Sequence, residues 1–150
     1  LKVAPLGYTD IGECVREIAL AQKRRAIIII LTDLHGNLEK ALDGFRAANV
    51  KRHDVKLIHI HDPEEFLFPK NPRQVKFQDP ETEEILAVNF SNLLERGMFM
   101  YELGLQIKEI NEFKRKVVGL NIDVIDAPTT VLMEKLLLIY FGSKRRGRVR

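Results

Sequence analysis

Residues 26 to 31, Ala26-Ile27-Ile28-Ile29-Ile30-Leu31, offer no polar position on either face. A strand with one face in water alternates apolar and polar residues, whereas one covered on both faces reads as continuous aliphatic sequence. The run is far too short to span a bilayer as a helix, and its isoleucines favour a pleated backbone. It predicts a central strand of a parallel sheet with helices on both sides. Because an all-aliphatic strand at an open edge invites association, neighbours are expected on both sides. They come from downstream strands, from sequence upstream, or from another chain. The last case is self-association through an exposed sheet edge.

The flanking segments have helical spacing. Asp10 and Glu13 form a capping pair, followed by an apolar stripe of Ile11, Cys14, Val15, Ile18 and Ala19, which predicts a helix ending near Lys23. Asn37 is a suitable N-cap for a second helix that turns Leu38, Ala41, Leu42, Phe45 and Ala48 inward. Val55 to Ile60 returns as the next parallel strand, and Asp62-Pro63 ends it because proline cannot donate to a ladder. Gln74 to Gln78 and Glu84 to Val88 flank Asp79-Pro80-Glu81-Thr82, with Asp and Pro at the first two positions that a type I turn prefers, and so predict a hairpin. Ser91 is expected to cap a long helix with a stripe of Met100, Leu103, Ile107, Ile110 and Val117, closed by Gly119. Asn121 to Ile125 reads as a further strand. Pro128 and Thr129 open a last helix through Leu132, Leu136, Ile139 and Tyr140. Alternating helices and strands define an α/β, doubly wound, mainly parallel sheet with helices on both faces and one hairpin.

With 45% hydrophobic and 30% charged residues, the chain has the composition of a globular domain. It is read as one domain over residues 1–143 and a basic tail over 144–150. The formal charge of +3 is smaller than the charge of Lys144, Arg145, Arg146, Arg148 and Arg150 alone, so the rest is slightly acidic. The tail lacks aromatic interleaving, and neither nucleic acid nor a membrane is expected as a partner. The lone Cys14, read as core packing, excludes an internal disulfide and favours a reducing, cytoplasmic setting. The chain begins with Leu1 rather than Met, so excision from a longer polypeptide is expected.

Several motifs carry chemistry in principle. Asp33-Leu34-His35 directly after the first strand is similar to the opening Asp-x-His of calcineurin-like metallophosphoesterases, where a two-metal centre clamps a phosphate. The further ligands of such a centre do not follow in this sequence, so a metal-dependent phosphoesterase using Asp33 and His35 is the alternative reading. His59 and His61 share a strand face, with His53 and Asp62 close in sequence. Zinc needs three or four converging ligands, and the two imidazoles read instead as hydrogen-bonded structural residues. Glu64 and Glu65 read as a solvated loop rather than an acid-base pair. Thr9, at the mouth of the first helix, and Asp33, at the end of the first strand, are both expected at the carboxyl edge of the sheet, where open α/β folds bind ligands.

The order of Gly7-Tyr8-Thr9-Asp10, a hydrophobic strand ending Thr32-Asp33, Arg52-His53-Asp54-Val55, Asp62-Pro63-Glu64-Glu65 with Pro69, Asp79-Pro80-Glu81-Thr82, and Tyr140-Phe141 before Lys144-Arg145-Arg146 is specific. It resembles the carboxyl-terminal part of a von Willebrand factor A-like, Rossmann-like domain of the bacterial and archaeal family called domain of unknown function fifty-eight. The resemblance implies a noncatalytic protein-interaction domain, an adaptor for a MoxR-type AAA+ ATPase in protein assembly or maturation. It also implies a metal ion-dependent adhesion site for Mg²⁺, in which Thr9 and Asp33 match the second and third elements. The first element, Asp-x-Ser-x-Ser, and the family's first strand are not in this sequence. Mg²⁺ demands near-octahedral oxygen coordination, so weak or absent binding is expected.

Overall fold

Asp10 opens the first helix as its sequence implies. Its carboxylate accepts the Glu13 N–H at 3.0 Å, and α1 runs Ile11–Ala21. Asn37 does the same for α2, Leu38–Val50, accepting the Lys40 N–H at 3.0 Å. In each case the cap satisfies a backbone donor that has no partner inside the helix. The computed structural model describes residues 10–63, 74–78, 85–132, 134 and 138. It divides into two compact units, Leu1–Pro63 with Ile110–Arg150, and Glu64–Glu109.

The first unit is built on a three-stranded parallel sheet. β1 (Ile27–Thr32), β2 (Asp54–His61) and β5 (Asp123–Pro128) lie in the order β1-β2-β5. Ile28 pairs with Val55 and Thr32 with His59 on one side of β2, while Leu57 pairs with Val124 and His59 with Asp126 on the other. The isoleucine strand expected at the centre therefore stands at the edge among the described residues, and β2 takes the middle. An aliphatic sequence reports only that the side chains favour burial. It does not report which neighbour the crossovers place alongside. On β1, Ile28 is buried, whereas Ile27, Ile29 and Leu31 are 70%, 58% and 56% exposed. An apolar edge strand without charge or proline is the kind of edge that accepts a further strand.

On the covered face, α2 turns Leu38, Ala41, Leu42, Phe45 and Ala48 into the core, as its periodicity predicts. Phe45 meets Phe113 at a ring-centroid distance of 5.9 Å, and Phe45, Leu57 and Val117 are fully buried. Each such side chain contributes about 1.5–3 kcal/mol of hydrophobic stabilisation. α1 lies against α2 at glycine. A Cβ on Gly44 would stand 2.9 Å from the Gly12 Cα and closer still to its carbonyl oxygen, so the two backbones touch where no side chain intervenes. This contact rotates α1. Gly12, Val15 and Ala19 are its buried positions, whereas Cys14, expected in the core, is exposed and Ile18 is largely so.

His53 ties these layers together. Its Nδ1 accepts the Ala26 N–H at 3.1 Å, and its Nε2 lies 3.0 Å from the Ala19 carbonyl oxygen, so the tautomer with hydrogen on Nε2 satisfies both groups. On the outward row, Lys56 bridges Asp54 and Asp123, each at 2.6 Å.

The second unit contains an antiparallel hairpin, β3 (Gln74–Gln78) and β4 (Ile85–Asn89), with Val75 opposite Val88 and Phe77 opposite Leu86. Phe77 stacks on Phe99 at 5.2 Å, and Phe90 meets Phe99 edge-on at 5.1 Å. The long helix α3 spans Leu93–Gly119. Its cap is Asn92 rather than Ser91: the Asn92 carboxamide accepts the Leu94 N–H at 3.0 Å and donates to Glu95, which in turn accepts the Asn89 N–H. Of the expected stripe, Ile110 and Val117 are buried, joined by Phe113, while Met100 is exposed. The helix closes after Gly119 with Asn121 at φ 61°, a conformation that asparagine tolerates. β5 begins two residues later than expected and extends through Pro128, so this proline ends a strand rather than opening a helix. Glu134 and Leu138 are helical; the rest of the expected last helix and the tail lie outside the described residues.

Candidate functional site

Two groups of side chains meet the carboxyl edge of the parallel sheet. The first is the turn that leaves β1. The Thr32 hydroxyl accepts the Leu34 N–H at 3.0 Å and the Asp33 carboxylate accepts the His35 N–H at 3.1 Å. Two short-range side-chain bonds of this kind replace the ladder where the strand stops. Leu34 takes φ 60° and is buried, and Gly36 takes φ 115°. With Leu34 anchored, Asp33 and His35 are exposed on a turn of defined geometry.

The second group stands on β2 and β5. His59 and Asp126 face each other across the ladder, with Nδ1 of His59 3.1 Å from Oδ1 of Asp126. Lys114, from α3, donates to the same carboxylate oxygen. His61, two residues along β2, stacks on His59 with ring centroids 4.7 Å apart and planes inclined by 19°. His59 is only 2% exposed, and its Nε2 finds no hydrogen-bond partner among the described residues. A buried polar atom left in this state costs about 1–3 kcal/mol. The His59 hydrogen bond holds the Asp126 carboxyl far below the usual carboxylate range, and the bond and charge of Lys114 add to this, against partial burial that pushes it up. Asp126 is therefore a fixed negative charge.

One donor atom each of His59, His61 and Asp126 lies within 4.8 Å of the other two. The expected pairing of imidazoles on one strand face is thus present, but the third member comes from β5, 67 residues from His59. No sequence signal marked Asp126. His53, close to this pair in sequence, stands at the other end of β2, engaged by Ala19 and Ala26. Asp62 follows β2 directly, and Glu64 and Glu65 lie outside the described residues.

Thr9 also lies outside the described residues, so its expected convergence with Asp33 is not among the described contacts. One oxygen of Asp33 is engaged by the His35 N–H. Among the described residues, no helix is long and apolar enough to cross a membrane.

A parallel three-stranded sheet with flanking helices and an antiparallel hairpin make an α/β fold, and the family whose model the chain matches is von Willebrand factor A-like. Residues 1–106 match the family model described as "Protein of unknown function DUF58", and the chain belongs to that family. No curated protein and no solved structure matches the chain.

Proposed function

We propose that the chain is a noncatalytic protein-interaction domain that takes its partner at the carboxyl edge of the parallel sheet, with Asp33 as the principal contact. The observation that carries this reading is the exposed Asp33 carboxylate on a turn held by its own hydrogen bond and by the buried Leu34. A charge held in place before binding loses little conformational freedom on docking, which favours recognition by a basic or hydrogen-bond-donating partner surface. Membership of a von Willebrand factor A-like family supports a binding role over a catalytic one. The partner proposed is a MoxR-type AAA+ ATPase, for which the domain acts as an adaptor in the assembly or maturation of other proteins.

The test is capture of a purified MoxR-type ATPase by wild-type and substituted protein. Asp33→Asn keeps an acceptor for the His35 N–H and removes the charge, whereas Asp33→Ala removes both. Capture is expected to fall by about tenfold or more in each, as for a charged contact worth about 1.5–3 kcal/mol. Undiminished capture by folded Asp33→Asn and Asp33→Ala proteins would remove this edge as the docking surface.

A further inference from the structure

We propose that His59, His61 and Asp126 form a binding site for a divalent transition metal, with Zn²⁺ as the ion. The three donors sit on adjacent, hydrogen-bonded strands rather than on loops, so their backbone spacing is set by the ladder. Their donor atoms lie within 4.8 Å of one another. Zinc bonds of about 2.0–2.2 Å allow atoms on one ion to be no more than about 4.4 Å apart, so the group closes on an ion by a shift of about half an ångström or more. Asp126, half exposed, has the freedom to make that movement.

His59 is buried, yet its Nε2 meets no donor or acceptor among the described residues. The Nδ1 of His59 faces Asp126 at 3.1 Å, so an ion shared by the two takes this nitrogen and displaces the hydrogen bond between them. Two imidazoles and one carboxylate are a borderline-soft donor set, which suits Zn²⁺ and its neighbours and disfavours Mg²⁺ and Ca²⁺. Three protein donors leave a fourth tetrahedral position for water or an external ligand.

Lys114 makes the site self-regulating. Its ammonium donates to the same oxygen of Asp126 that lies against His59. A metal ion and this ammonium compete for one carboxylate, so binding releases Lys114, and removing its charge strengthens the site. Asp33 is not a member of the group.

The experiment titrates the whole 150-residue chain, first stripped by a chelator, with Zn²⁺ against a chromophoric competitor, and with Co²⁺ to read d–d absorption. The wild type is expected to bind one ion and to give the visible band of four-coordinate Co²⁺. His61→Ala and Asp126→Asn should each weaken binding by about tenfold or more, Lys114→Gln should strengthen it severalfold, and Asp33→Asn should leave it unchanged. Absence of the Co²⁺ band, affinity retained in His61→Ala, or an unchanged or weaker Lys114→Gln protein would overturn the site. Circular dichroism reports whether each variant is folded. Should His61→Ala or Asp126→Asn fail to fold, the wild-type band and the Lys114→Gln shift decide alone.

Discussion

The contact between α1 and α2 yields a test in which two identical substitutions should have opposite signs. Gly44 lies in the middle of α2, and an added Cβ would come 2.9 Å from the Gly12 Cα and nearer to its carbonyl oxygen. Unstrained carbon atoms stand about 3.5–4.0 Å apart, so Gly44→Ala must drive the helices apart by most of an ångström at least. Overpacking of this sort costs about 1–3 kcal/mol, and more where backbone rather than a flexible side chain blocks the methyl group. Against it stands a gain of about 0.8–1 kcal/mol from replacing glycine by alanine in a helix interior. Separation also loosens Val15 and Ala19, which are buried along the same face of α1, so the net effect is a loss of about 1–3 kcal/mol. At about 2–4 °C per kcal/mol for a chain of this size, the melting temperature should fall by about 2–12 °C. Gly104, in α3, has nothing within 4 Å of its would-be Cβ. Gly104→Ala therefore keeps the propensity gain and should raise stability by about 0.5–1 kcal/mol. Urea unfolding of both variants, followed by circular dichroism, measures the pair. A neutral or stabilising Gly44→Ala would refute the close-contact reasoning, because the control isolates the propensity term.

Acid should reveal the Asp126 pair. Its folded-state carboxyl is depressed, chiefly by the His59 hydrogen bond, so the stability it contributes is fully present above its unfolded value of about 3.9 and is lost as pH falls toward the folded one. In chelator-treated protein, the difference in urea midpoint between wild type and Asp126→Asn should be constant near neutrality and shrink below about pH 4; a difference that persists undiminished to pH 3 would contradict this. The phosphoesterase alternative is addressed by hydrolysis of a generic phosphate ester with added Mn²⁺. No turnover is expected, and robust turnover abolished by His35→Ala is incompatible with a pure binding domain.

Local chemistry was legible wherever one segment carries its own instructions. Asp10 and Asn37 cap the helices their spacing implies, and the inward face of α2 is the one its periodicity marks. Both early strands and the hairpin stand close to their expected bounds. Side-chain oxygens three residues from a backbone N–H, or apolar residues every three or four positions, act through distances short enough for sequence spacing to set them. The family resemblance was legible for a related reason, since it rests on turns and strand ends in order along this chain.

Neighbours across the sheet were not legible. Whether Ile27–Thr32 stands at the centre or the rim depends on where the crossovers lay the other strands, and β2, with the less continuous apolar sequence, holds the middle. Cys14 turned outward because two glycines let α1 and α2 approach at backbone distance, a contact between residues of different helices. Asp126 joined His59 across 67 residues for the same reason. Sequence alone set the first two helices with their caps, the early strands and the exposed acidic turn after the first strand, because each depends on neighbours a few residues away. Strand order, the rotation of α1 and the His59-His61-Asp126 cluster belong to the tertiary structure, because they are created only when distant segments pack against one another.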